Sequence, residues 1–68
     1  MLTLVLSADN LTTALPHVKE VFDTATIEGD FIIATVPGDD PDGEEADVAL
    51  AYAHDLADNG IVVEEIFA

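Results

Sequence analysis

The sequence predicts an α+β domain of the ferredoxin-like type, in which four antiparallel strands form one sheet and two helices cover one face of it. Apolar residues alternate in three parts of the chain, as they do in strands, and recur with helical spacing in two segments between them. The resulting order is strand, helix, strand, strand, helix, strand, which is the split βαβ arrangement. A chain of 68 residues has room for one such unit, so we treat residues 1–68 as a single domain.

The first strand is predicted at Leu2–Ser7, where leucines alternate with Thr3, Val5 and Ser7. Because Val5 makes the second set partly apolar as well, the strand should lie in the middle of the sheet. In a ferredoxin-like sheet, the first and third strands occupy the middle.

The first helix is predicted to be short. Ser7, Asp9 and Asn10 are typical helix-start residues, and apolar residues follow them with helical spacing. Pro16 interrupts this pattern, because proline lacks the N–H that a helix interior uses. Either the helix ends near Leu15, or Pro16 lies inside a longer helix that reaches Phe22. We favour the short helix, with residues 18–27 largely extended.

A β-hairpin is predicted in the middle of the chain. The β-rich runs Thr24–Ile27 and Phe31–Val36 flank a three-residue turn that contains Gly29. A Pro-Gly pair beginning at Pro37 ends the second run, and an acidic segment leads into the second helix.

The second helix has the clearest pattern. Asp42 and Glu45 are spaced as a capping box. Gly60 predicts the end of the helix, because glycine accepts the left-handed conformation, and a last strand is predicted at Ile61–Phe67. The predicted apolar face of the helix consists of Ala46, Ala49, Leu50, Ala53, Leu56 and Ala57.

The charge of the chain is extreme. Fifteen acidic residues face one basic residue, Lys19, and the formal net charge is −14. A DNA mimic and a protein adapted to molar salt are the two explanations, and the near-absence of lysine favours the second. At about 1 M salt the Debye length is about 3 Å, so the repulsion is screened. The composition resembles that of haloarchaeal proteins, and it argues against nucleic acid or anionic membranes as partners.

Two other features of the composition bear on the compartment. There is no cysteine, which excludes disulfides and thiolate metal sites. No run approaches the roughly 20 apolar residues of a membrane span, and the first residues lack the basic region of a signal peptide. We therefore expect a soluble cytoplasmic protein.

Two runs resemble parts of heavy-metal-associated domains. Leu15–Val21 looks like their passage from first helix to strand, and Ala53–Ile66 is similar to their second helix and last strand. The family's metal loop would fall near Ser7–Ala14, where this chain has neither of the family's cysteines. The resemblance implies the fold and contradicts copper or zinc transfer. ACT-type and Lrp-type ligand domains share much of the same pattern.

Few residues of the chain could support catalysis or metal binding. His17 and His54 are the only histidines, and we expect solvated side chains rather than a metal site. The acidic segment Gly38–Glu45 departs from a calcium-binding loop at both the first and the last ligand position. Ser7 is the only serine, and there is no arginine to bind phosphate. We predict no catalytic residue, no metal and no cofactor.

The predicted function is that of an interaction or assembly module, which forms a homodimer or binds a protein partner. Two helices cover one face of a four-stranded sheet, so apolar residues on the other face would need a partner. The residues predicted for that face are Val5, Phe22, Ile32 and Val62. The alternative is an ACT-like regulatory domain that binds a small molecule at Ser7–Asn10.

Overall fold

The computed structural model describes residues Met1–Ala68 and contains the predicted elements in the predicted order. The sheet order is β2-β3-β1-β4, and all neighbouring strands are antiparallel. This confirms the ferredoxin-like α+β fold and the central position of the first and third strands. The elements are β1 (Leu2–Ser7), α1 (Leu11–Val21), β2 (Thr26–Glu28), β3 (Phe31–Val36), α2 (Glu44–His54), a 3₁₀ turn (Asp55–Asn59) and β4 (Val62–Phe67).

The two faces of the sheet differ sharply in burial. In β1 the three leucines are fully buried, whereas the residues between them are only half-buried. The register of β1 with β3 pairs Leu6 with Ile32 and Leu4 with Ala34, so these four side chains share a face. We call the side of the sheet that carries Leu4 the covered face, because both helices pack on it, and the opposite side the open face.

The core lies between the covered face and the helices. It contains no buried polar or charged side chain. Four of the six apolar positions predicted for the second helix are buried, while Leu50 and Ala57 are exposed. The main residues that the helices and their flanking turns contribute are Ala14, Val18, Phe22, Ala49, Ala53, Leu56 and Ile61.

Helix α1 runs through Pro16, so the predicted short helix and the extended segment after it are wrong. Proline removes one N–H from the helix, at a cost of about 3 kcal/mol in a helix interior. Continuing the helix buries Val18 and Phe22, which are 0% and 5% exposed. Each such burial contributes about 1.5–3 kcal/mol, which offsets the proline. The carbonyl left unpaired belongs to the exposed Thr12, where water is available.

The two helices begin differently. Asn10 caps α1, and its side-chain oxygen accepts a hydrogen bond from the Thr13 N–H at 3.1 Å. Helix α2 begins after Gly43, which has no side chain to cap it, so the predicted capping box is wrong. The N–H of Asp42 instead donates to the Asp40 carboxylate at 2.9 Å, within the loop before the helix.

The hairpin is tighter than predicted. Glu28 pairs with Phe31, which leaves a two-residue loop in which Gly29 has a φ of +63°. Strand β2 begins at Thr26 rather than at Thr24, because the side chain of Thr24, and not its backbone, makes the hydrogen bonds to β3 at that position. Its hydroxyl accepts from the Thr35 N–H at 2.9 Å and donates to the Thr35 carbonyl at 2.8 Å.

Candidate functional site

The open face of the sheet is an uncovered surface with a distinct composition. Val5 and Ile33 lie side by side in its centre, as directly paired residues of β1 and β3. Strand β4 adds Val62 and Phe67, which are 52% and 42% exposed. The side chains that β1 and β3 place on this face are all uncharged: Thr3, Val5, Ser7, Phe31, Ile33 and Thr35.

Two of the four residues predicted for this face lie elsewhere. Ile32 is 0% exposed on the covered face, and Phe22 is 5% exposed in the core just after α1. Placing them on the open face was therefore wrong, and Ile33 occupies the position expected for Ile32. Val5 and Val62 do lie on the open face. Their role in an interface stays a prediction.

Acidic side chains flank this apolar centre on the outer strands. Glu28 of β2 pairs with Phe31, and Glu65 of β4 pairs with Val5. At a bulge in β4, the Glu64 carboxylate accepts a hydrogen bond from the Ser7 hydroxyl at 2.9 Å. The open face is thus neutral in the middle and negative at both margins.

A second candidate lies on the helix side of the sheet. An apolar cleft of about 460 Å³ opens between the end of α1, the end of β3 and the first turns of α2. We call it the helix cleft. The residues that line it are Val21, Phe22, Val36, Pro37, Glu44, Glu45, Val48, Ala49 and Tyr52.

A third candidate is a polar hollow of about 270 Å³ beside the loop between β1 and α1. It overlaps the segment Ser7–Asn10, where the alternative function would place a ligand. The amide oxygen of Asn10 is already engaged by the Thr13 N–H. The residues around the hollow are Ala8, Asp9, Asn10, Thr13, Ala14, His17, Asn59 and Gly60.

The histidines and the side chains of the acidic loop are not grouped as a metal site would require. His17 and His54 are both exposed, and no group of three or more metal-ligating side chains comes together. His54 is the last residue of α2, and Asp58 lies in the 3₁₀ turn, so the α-helical spacing that would align the two is not formed. In the acidic loop, Asp40 bonds within its own turn.

No family model matches the chain, and searches of curated proteins and of solved structures found no match either. The likeness to heavy-metal-associated domains therefore rests on the two sequence runs described above and stays a prediction. None of the helices has the length and apolar character needed to cross a membrane.

Proposed function

We propose that this chain is a small protein-interaction module without catalysis of its own, and that its open face associates with a second copy of the chain in a cytoplasm of high salt. The observation that supports this is the absence of charge from the central strands. All fifteen acidic residues of the chain are exposed, yet none lies in β1 or β3. If this face were exposed only to water, some of the fifteen acidic residues would be expected on its central strands.

A second copy is the occupant that suits this distribution. A basic partner would be matched by acidic side chains across the contact. Here the acids, such as Glu28 and Glu65, lie on the outer strands, and the centre around Val5 and Ile33 is neutral. Two neutral apolar centres can meet provided that the repulsion between two chains of charge −14 is screened. Molar salt supplies that screening, with a Debye length of about 3 Å.

The size of the face limits the strength of the contact. Three strands about 20 Å long and the shorter β2, spaced about 4.8 Å apart, make a face of at most roughly 20 Å by 20 Å. Specific interfaces bury about 600–1,000 Å² of accessible surface on each partner, so a flat area of about 400 Å² is smaller than that of a standard interface. We therefore expect a dimer that dissociates at micromolar concentrations.

The dimer is tested by Ile33→Lys, measured by light scattering in molar KCl at tens of micromolar. The added charge lies in the middle of the open face, so the variant should be monomeric while its circular dichroism stays that of the wild type. Val48→Lys is the matched control, because Val48 is an exposed apolar residue on α2. It makes the same change of charge away from the face and should leave the dimer intact. A monomeric wild-type chain under these conditions would refute self-association.

The high-salt part of the proposal has a separate test. Since one lysine offsets fifteen acids, the folded chain should lose stability as KCl is lowered from molar to millimolar concentrations. Thermal melts followed by circular dichroism measure this. An equal melting temperature across the series would show that the charge has another explanation.

The polar hollow favours a second candidate function, the sensing of a small molecule. Asp9, Thr13 and Asn59 supply carboxylate, hydroxyl and amide groups around a space large enough for an amino acid. A thermal-shift screen with amino acids and metal salts tests this. A stabilising compound should lose its effect in Thr13→Val and keep it in Thr12→Val, which changes the neighbouring exposed threonine. A screen with no stabilising compound would count against the sensing function.

A further inference from the structure

The helix cleft has an unusual combination of apolar and acidic lining. Phe22 and Ala49 form buried parts of its wall. Val48 and Tyr52 lie one turn apart on α2 and are 47% and 60% exposed, although much of the surrounding surface is charged. Large exposed apolar side chains grouped beside a concave surface are typical of a binding site.

The charge at the cleft is of one sign. Glu44 and Glu45, in the first turn of α2, contribute the only charged side chains of the lining. Neither carboxylate takes part in an ion pair, since the only ion pair of the structure joins the amino group of Met1 to Asp39 at 3.6 Å. The cleft therefore presents an apolar cavity beside two unpaired negative charges.

The apolar lining and the two carboxylates together indicate which kind of ligand the cleft would bind. An apolar body in the cavity would be withdrawn from water, and a positive group at its end would lie beside the carboxylates. The ring of Tyr52 can also attract a cation over its face. A second copy of the chain does not suit the cleft, because its one lysine, Lys19, is followed by Glu20 on a chain of net charge −14, which Glu44 and Glu45 would repel. The volume of about 460 Å³ lies within the range of about 300–1,000 Å³ typical of small-molecule sites.

We propose that the helix cleft binds a small organic cation, an alkyl- or arylammonium compound whose apolar part fills the cleft and whose ammonium group pairs with Glu44 and Glu45. The site lies on the helix side of the sheet, away from the open face. It is therefore independent of the proposed dimer, and either can fail without the other.

The chain carries its own reporter for this binding. Tyr52 is the only tyrosine, there is no tryptophan, and Tyr52 lines the cleft, so tyrosine fluorescence reports on this site without background. Three probes of the same shape and without absorption in that range separate charge from apolar contact: cyclohexylmethylamine, cyclohexylmethanol and cyclohexanecarboxylate. Titrations are made at the lowest KCl concentration at which circular dichroism shows the folded chain, because salt screens the charged contact.

The ammonium probe should change the fluorescence of Tyr52 in a saturable way. The neutral alcohol should bind at least about tenfold more weakly, which corresponds to about 1.4 kcal/mol, and the carboxylate should not bind. The double variant Glu44→Gln/Glu45→Gln should bind the ammonium no better than the alcohol.

The matched control is Asp55→Asn/Asp58→Asn, which removes the same charge from two exposed residues of the 3₁₀ turn, outside both the cleft and the open face. It should bind the ammonium probe as the wild type does. The proposal is overturned if no probe saturates, or if the alcohol binds as tightly as the amine. It is also overturned if both double variants lose affinity equally, since that would show an effect of net charge alone.

Discussion

Ile32 and Ile33 are the same residue type at adjacent positions of the same strand, yet they belong to two different surfaces. Ile32 is 0% exposed beneath the helices, and Ile33 is half-buried on the open face. The difference comes from the pleat, which points successive side chains to opposite faces. Composition and hydropathy are identical at the two positions. The register with β1, which pairs Ile32 with Leu6 and Ile33 with Val5, decides which isoleucine is core and which is surface.

The largest effect that separates the two faces is expected from Ile32→Lys. The substitution would bury a charge without a partner in the middle of the covered face, at a cost of at least about 4 kcal/mol. A domain of this size has a total stability of roughly 3–10 kcal/mol. We therefore expect Ile32→Lys to be largely unfolded by circular dichroism in molar KCl, whereas Ile33→Lys stays folded. If both variants fold, or if both unfold, the distinction between the two faces is wrong.

A smaller substitution makes the same comparison on β1. Leu4→Ala should lower the free energy of unfolding by about 2–5 kcal/mol, because Leu4 is fully buried and its removal leaves a cavity. Val5→Ala should lower it by about 1 kcal/mol or less, since Val5 is half-buried and the site is open to water. Thermal or urea unfolding of dilute, monomeric protein measures both. Equal losses would mean that a partner or another part of the chain already covers Val5.

A position outside both faces isolates the contribution of the backbone. Gly60 ends the 3₁₀ turn with φ of +75°, and a Cβ atom placed on it would meet no atom within 4 Å. Gly60→Val should therefore destabilise the chain through conformation alone, by about 1–2 kcal/mol. The melting temperature measures the effect, and Gly60→Asn, which tolerates this conformation better, should lose less. An unchanged melting temperature in Gly60→Val would mean that the chain adjusts its path between α2 and β4.

Much of the fold could be predicted, because its signals are local. The alternation of Leu2–Ser7, the glycine at Gly29 and the stop at Gly60 each act within a few residues, and all three occur where predicted. The effect of Pro16 on the first helix was predicted wrongly because the deciding interaction is not local. Its local penalty is real, but the burial of Val18 depends on contacts with distant parts of the chain.

The candidate sites could be predicted only in part. The neutrality of β1 and β3 can be read from the sequence, and so can the loop Ser7–Asn10, beside which the polar hollow lies. The helix cleft could not be read, because Phe22, Val36 and Tyr52 are brought together only when both helices pack on the sheet. Val48 and Tyr52 were not part of the predicted apolar face of the second helix.

By itself, the sequence determined the order of the elements, the acidic surface and the central place of β1 and β3. The order of the elements depends on the period of the side chains and on the special conformations of glycine, which neighbours along the chain are enough to set. The acidic surface and the central place of the two strands follow from composition, because neither strand carries a charge. The tertiary structure decided which apolar set of β3 became core, where α1 ends, and that a cleft opens beside α2. Each of these depends on a register or on a packing contact between residues far apart in the chain. The sequence of a single strand or helix does not specify which other element it will pack against.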